Sequence, residues 1–263
     1  MRTSLPVLVM LGAMTATSFV SAQSTPSVRV ILVGDSTMAP RSGYGEALCA
    51  RFTPTVACLN RARGGRSTKS FRVEGLWDGI VQLMGDKQFQ QTYVLIQFGH
   101  NDQPGKPERS TTLPEFTTNL RRYVEETRAN GATPVLVTPL TRRQFKDGKV
   151  VRSLDDWASA TRSVAKDTDT ALLDLHADSV AAVEAVGPTV ANTYAPSPPP
   201  AAVAAAALTG TTIEAPKPEQ PDPANPAFDY THLGADGAAR FASIVASEIR
   251  IAVPDLGKLL QDL

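Results

Sequence analysis

Histidine and cysteine are scarce in this chain: three and two residues in 263. That leaves too little material for a histidine-rich metal site or a disulfide-dense scaffold, so no metal is expected. Charge of one sign is lacking as well. Twenty-six basic residues face 26 acidic ones, which excludes a chain-wide polycation that would hold nucleic acid nonspecifically. No apolar run approaches the ~20 residues that a membrane-spanning helix needs, and no internal repeat or collagen-like period is present. The remaining composition, 42% apolar and 20% charged, is that of an ordinary globular chain able to bury a sizeable core.

The N-terminus reads as a removable secretory signal peptide over residues 1–22. Arg2 precedes an apolar stretch from Leu5 to Met14, polar residues interrupt it at Thr15, Thr17 and Ser18, and Val20-Ser21-Ala22 gives a small-residue ending. Cleavage after Ala22 would leave 25 basic and 26 acidic residues, a net charge of −1. The expected compartment is outside the cytoplasm, secreted or periplasmic. In such an oxidising setting Cys49 and Cys58 have only each other as partners, and they are read either as a short-loop disulfide or as two buried thiols.

Along residues 23–263 short apolar runs ending in glycine or a polar residue alternate with stretches of helical period. The runs at 28–33, 93–98, 134–138 and 171–175, with a weaker one at 56–59, predict strands. Their near-continuous apolar character predicts strands covered on both faces, as in parallel sheets. Thr112, Pro114 and Glu115 form the start signal of a helix carrying Phe116, Leu120, Tyr123 and Thr127 on one side, and Gly131 stops it. Ser153 opens a second helical stretch with Leu154, Trp157, Thr161 and Val164. Ala238, Phe241, Val245 and Ile249 form the stripe of a C-terminal helix. The fold class expected is α/β: a three-layer α/β/α sandwich around a parallel sheet of about five strands.

A segment at about 187–228 breaks this rhythm. It is rich in proline and alanine, contains Pro198-Pro199-Pro200, and predicts an irregular insertion, exposed and mobile at the surface. A short helix over Ala201–Leu208 is compatible with its alanine run.

In an open parallel sheet ligands bind beyond the carboxyl ends of the strands, and three places there carry chemistry. Gly34-Asp35-Ser36-Thr37 follows the first strand and offers Ser36 as a nucleophile on a tight turn. Gly99-His100-Asn101-Asp102 follows the 93–98 strand, and the Asn101 amide could donate to a developing oxyanion. Asp229-Tyr230-Thr231-His232 precedes the last helix, with a spacing that lets a carboxylate orient the imidazole so that His232 can deprotonate Ser36. Each block alone also reads as a turn or helix cap.

Together with Asn60-Arg61-Ala62-Arg63-Gly64-Gly65-Arg66-Ser67, these blocks resemble, in order, those of the GDSL or SGNH hydrolases, most closely the rhamnogalacturonan acetylesterase branch. The resemblance spans nearly the whole mature chain. It implies a flavodoxin-like fold and a triad of Ser36, Asp229 and His232. It further implies an oxyanion hole made by the amides of Ser36 and Gly65 with the Asn101 side chain. Two departures stand out: the longer, proline-rich segment before Asp229, and Gly-Asp-Ser-Thr in place of Gly-Asp-Ser-Leu, which that branch tolerates.

The Ser-x-x-Lys spacing at Ser163–Lys166 lies inside a helix with no supporting motif. There is no Gly-x-Ser-x-Gly elbow, phosphate loop, dinucleotide glycine pattern or His-Glu-x-x-His, so no cofactor is implied. The expected function is an exported serine esterase that deacetylates a plant cell-wall polysaccharide, acetylated rhamnogalacturonan or pectin. A lipase or thioesterase of the same family and a non-catalytic carbohydrate-binding module are the alternatives. Arg61, Arg63, Arg66, Lys69 and Arg72 lie within twelve residues that contain no acid, which suggests an anionic substrate, with Arg66, Lys69 and Arg72 at its binding surface. The sequence is silent on oligomeric state.

Overall fold

The computed structural model describes residue 1 and residues 26–216 and 226–261. The expected signal peptide, apart from Met1, and the stretch 217–225 of the insertion lie outside the described residues.

The elements run β1 (Val28–Gly34), α1 (Gly45–Cys49), β2 (Val56–Asn60), α2 (Ser70–Val73), α3 (Leu76–Met84), β3 (Gln91–Gln97), α4 (Leu113–Ala129) and β4 (Thr133–Val137). They continue with β5 (Phe145–Lys146), β6 (Lys149–Val150), α5 (Asp155–Asp167), β7 (Ala171–Leu173), α6 (Leu175–Asn192), α7 (Ala201–Ala207), α8 (Ala235–Ala252) and α9 (Pro254–Gly257). Five strands form one parallel sheet in the order β2-β1-β3-β4-β7, the expected three-layer architecture. A two-stranded hairpin, β5 and β6, stands apart.

Alternation along the strands builds the two halves of the core. Val30 and Leu32 of β1 pack with Leu95, Val137 and Leu173 against Tyr44, Phe241, Val245 and Ile249 on one face. Ile31 and Val33 pack with Val94, Ile96 and Leu136 against Phe71, Trp77, Phe116 and Tyr123 on the other. The strand order reverses between β1 and β3, and the carboxyl ends of these two strands bound the crevice where open α/β sheets bind ligands. They touch closely there, because a β-carbon on Gly34 would stand 2.6 Å from the Gln97 carbonyl oxygen.

The capping box of α4 is present: Thr112 accepts from the Glu115 amide and Glu115 accepts from the Thr112 amide. Helix α5 begins one residue later than Ser153 suggested, because the Ser153 hydroxyl is taken by Arg142 Nη1 at 2.8 Å and does not cap. Cys49 and Cys58 form a disulfide that ties α1 to β2, with Cα atoms 5.4 Å apart.

The described part of the insertion is more ordered than the expected irregular chain. Helix α6 runs through its start, with a break at Gly187 before Pro188, and the alanine run forms α7. Val203 and Ala207 of α7 are buried, and a small third core joins Val203 to Ala195, Phe228 and Tyr230. Alanine loses almost no side-chain entropy on ordering, so a few well-placed apolar residues suffice to fix such a segment. The segment also closes on the hairpin, with the Gly148 amide donating to the Gly210 carbonyl at 2.8 Å.

Candidate active site

Ser36 sits in the turn that follows β1. Beneath it runs a fully buried chain of hydrogen bonds: Tyr44 Oη donates to Gln97 Oε1 (2.6 Å), Gln97 Nε2 to Thr37 Oγ1 (2.6 Å), and Thr37 Oγ1 to Asp35 Oδ1 (2.8 Å). The Thr37 amide also donates to Asp35 Oδ1, at 2.9 Å. His100 Nδ1 lies 3.3 Å from Asp35 Oδ2. Burial pushes the Asp35 carboxyl up, but His100 and the Thr37 bonds outweigh it and hold the group below its ordinary value. Burial lowers His100, against the pull of Asp35. The turn is thus anchored by a carboxylate while the Ser36 hydroxyl is left without a hydrogen bond among the described residues.

The loop after β2 supplies the next part. Its carbonyls face protein donors: Gly64 O accepts from Arg66 Nη1 (2.8 Å), Gly65 O from Arg109 Nη1 (3.2 Å) and Arg66 O from Asn101 Nδ2 (3.0 Å). In a trans peptide the N–H points opposite to the preceding carbonyl, so fixing Gly64 O turns the Gly65 N–H the other way. Gly65 adopts φ +78°, a left-handed conformation that favours glycine. Neither the Gly65 nor the Ser36 N–H donates to protein among the described residues. A β-carbon on Gly64 would stand 3.7 Å from Ser36 Cβ, which puts this loop beside the serine. One N–H of the Asn101 amide is used on Arg66, which orients the group and leaves the second. Asp102 secures the neighbouring backbone by accepting from the Thr68 amide at 3.1 Å and from the Thr68 and Thr111 hydroxyls, and burial pushes its carboxyl up to about 7.

Asp229 and His232 meet as the spacing suggested. Asp229 Oδ2 is 2.6 Å from His232 Nδ1, and Oδ1 accepts from the amides of Thr231 (2.6 Å) and His232 (2.7 Å). Burial raises Asp229, but the bonds to His232 and Thr231 overcome it and bring the carboxyl down to about 2. The ionised Asp229 then selects the Nδ1–H tautomer and leaves the Nε2 lone pair free to accept a proton. Among the described residues no hydrogen bond joins Ser36 Oγ to His232 Nε2. Their loops are nevertheless joined, since the Leu233 amide donates to Ser42 O (2.9 Å) and Ser42 Oγ donates to Ser36 O (2.8 Å).

Sequence reasoning missed the residue that holds this histidine loop. Arg143, fully buried, donates through Nη2 to the carbonyls of Asp229 and His232, both at 2.8 Å, and through Nη1 to that of Thr231 at 3.4 Å. Its own amide donates to Tyr230 O at 2.9 Å. The loop therefore turns its amides toward the Asp229 carboxylate and its carbonyls toward one guanidinium. Burial brings that guanidinium down to about 10. The insertion adds a second support, with Phe228 edge-on to Tyr230 and Tyr230 Oη donating to Ile213 O at 2.8 Å.

The three residues placed by sequence at a substrate surface have protein partners. Arg66 pairs with Glu74 (2.7 Å), Lys69 donates to Pro107 O (2.9 Å), and Arg72 pairs with Glu126 (2.6 Å) and lies over the Tyr123 ring.

The Asp229 hydrogen bond raises His232 above the usual imidazole value of 6.5, against burial, which lowers it. Only the neutral ring can accept a proton, so activity is lost as pH falls through this raised value. The acid limb of kcat/KM, which reports the free enzyme, is therefore expected above 6.5. A rate profile across the acid range checks this, and a limb at or below that value would contradict the pairing.

A serine beyond the first strand of a β2-β1-β3-β4-β7 parallel sheet, two amides beside it with no acceptor among the described residues, and an aspartate-histidine pair before the last helix match a hydrolase of the GDSL type. The chain belongs to the GDSL-like lipase/acylhydrolase family, whose model matches residues 32–240. It is 36% identical over 169 residues to the rhamnogalacturonan acetylesterase RhgT of Bacillus subtilis, covering 61% of this chain and 70% of the relative. It is 30% identical over 229 residues to YesY of the same organism, a probable rhamnogalacturonan acetylesterase, covering 84% and 92%. In fold it is similar to Axe2, an acetylxylan esterase from Geobacillus stearothermophilus, with a TM-score of 0.55, 18% identity and 86% and 96% of the two chains covered.

Proposed function

We propose that this chain is an exported serine esterase that removes acetyl groups from a pectic polysaccharide, acetylated rhamnogalacturonan above all. The observation that carries the reading is the Asp229 and His232 pair, at 2.6 Å, tied through Leu233 and Ser42 to the Ser36 turn. The names of the relatives RhgT and YesY support the substrate. The disulfide supports export into an oxidising compartment, in keeping with a signal peptide over 1–22.

In this reading Ser36 Oγ attacks the acetyl carbonyl carbon while His232 Nε2 takes its proton. The amides of Ser36 and Gly65 and the free N–H of Asn101 hold the oxyanion. Collapse breaks the bond to the sugar oxygen, which leaves as a hydroxyl with the proton from His232. Water, deprotonated by the same imidazole, then splits the acetyl-Ser36 ester to acetate and free serine.

Acetate release from acetylated rhamnogalacturonan, acetylated homogalacturonan, acetylated xylan and a long-chain acyl ester tests the proposal. The expected order places the pectic substrates first. A preference for the long-chain ester would favour a lipase, and release from none of them would return the chain to a binding role.

A further inference from the structure

A cavity of about 890 Å³ opens beside the Ser36 turn, with Ser42 and Gly64 in its lining. Both residues touch the site already described: Ser42 Oγ donates to Ser36 O, and Gly64 lies against Ser36 Cβ. Leu76, Ile80 and Leu83 supply an aliphatic part of its wall, and Arg41, Arg61 and Arg63 a cationic part.

These three arginines stand apart from their neighbours in sequence. Arg66, Lys69 and Arg72 are engaged by protein partners. Arg41, Arg61 and Arg63 are exposed, and among the described residues their side chains make no hydrogen bond or ion pair. One acid lines the cavity, Asp86, and its carboxylate is held by Arg29 at 3.5 Å and by Gln88 Nε2 at 2.6 Å. Arg41 is kept at φ +70°, a left-handed conformation that a non-glycine residue adopts at some strain. The backbone carrying Arg61 and Arg63 continues the pairing with β1, the Arg61 amide donating to Leu32 O and the Arg63 amide to Gly34 O, both at 2.9 Å. Ala62 between them is buried. In extended chain, residues two apart project to one side about 6.6 Å from each other. Arg61 and Arg63 thus stand as neighbouring cations on the cavity lining, with Arg41 a third, suited to negative charges carried along a chain.

We propose that Arg41, Arg61 and Arg63 form a carboxylate-reading subsite that grips the uronate units flanking the acetylated sugar, while the aliphatic wall receives the less polar faces of the same chain. This rests on the esterase reading above and adds its specificity determinant: the polymer is selected by carboxylates remote from the ester.

The decisive comparison uses acetylated rhamnogalacturonan oligomers and the same oligomers with their carboxylates reduced to alcohols. The native protein is expected to favour the carboxylate form in kcat/KM by about tenfold or more, through charge-assisted bonds, and to lose that preference as salt rises. The triple variant Arg41→Gln, Arg61→Gln, Arg63→Gln is expected to bring the ratio of the two substrates near one, mainly through KM. A triple variant that keeps the preference overturns the subsite. Its melting temperature is expected to match the parent, since no described partner is lost; if it falls, the three single variants are compared in the same way. Calorimetric binding of fully deacetylated rhamnogalacturonan oligomers, which needs no turnover, separates the two readings. Binding about tenfold weaker in the triple variant supports the subsite even if no acetate is ever released. Equal binding removes it even if the esterase stands.

Discussion

Ser36→Ala is expected to lower acetate release by ~10⁴-fold to 10⁶-fold, the loss typical of removing a serine nucleophile, while the protein stays folded. The two halves of this expectation come from the same geometry. The hydroxyl makes no hydrogen bond among the described residues, and the turn is held by groups the substitution leaves alone: Asp35 through Thr37, and the Ser36 carbonyl through Ser42. Alanine also fits where serine stood, since only the oxygen is removed. Circular dichroism, a thermal melt and acetate release on one preparation check it. Turnover within about a hundredfold of the parent would point to another nucleophile, because the oxyanion donors alone sustain only ~10³-fold to 10⁴-fold over water.

Arg143→Met is expected to cost about a hundredfold in kcat and to lower the melting temperature. Methionine leaves the carbonyls of Asp229, Thr231 and His232 without their shared donor, at roughly 1 to 3 kcal/mol for each buried group left unpaired. The histidine loop then loses the restraint on its carbonyls that, in the esterase reading, keeps His232 in register with Ser36, and misplacement of about 1 Å is enough for such a loss. A second readout separates positioning from plain stability. The Arg143 charge opposes protonation of His232, so its removal is expected to move the acid limb of kcat/KM upward, whereas Arg143→Lys keeps the limb and recovers part of the rate. A variant that melts early but retains kcat and the limb would reduce Arg143 to a stabilising residue.

The sheet was legible because its strands are buried on both faces, so that runs such as Val30 to Val33 carry the signal without help from distant chain. The helix at 113–129 was legible for a local reason too, its capping box lying within four residues. Ser36, Asn101, Asp229 and His232 were proposed from the short blocks that hold them, and the Asp229–His232 contact that the spacing suggested is present. The supports of the site were not. Gln97 reaches Thr37 across 60 residues and Arg143 reaches Asp229 across 86, and no local pattern distinguishes an arginine that will meet carbonyls from one that will meet water. The basic run after β2 shows the same limit. Its composition suggests one uniform surface, yet Glu74 and Glu126 claim Arg66 and Arg72, while Arg61 and Arg63 have no side-chain partner among the described residues. In the insertion, proline content suggested irregular, exposed chain, yet in its described part Val203 and Phe228 join Ala195 and Tyr230 in a small buried cluster.

The bond from the Leu233 amide to Ser42 O joins loops 191 positions apart, one just after the first strand and the other just before α8. Contacts so remote in sequence form late, after the intervening loop entropy has been overcome. In the esterase reading, a chain that has completed the sheet but not this contact holds Ser36, its anchoring carboxylate and the amides assigned to the oxyanion, without the base that would activate them. Competence, in that reading, arrives only when the 229–233 loop docks against the Ser36 turn, so that activity would report a completed fold.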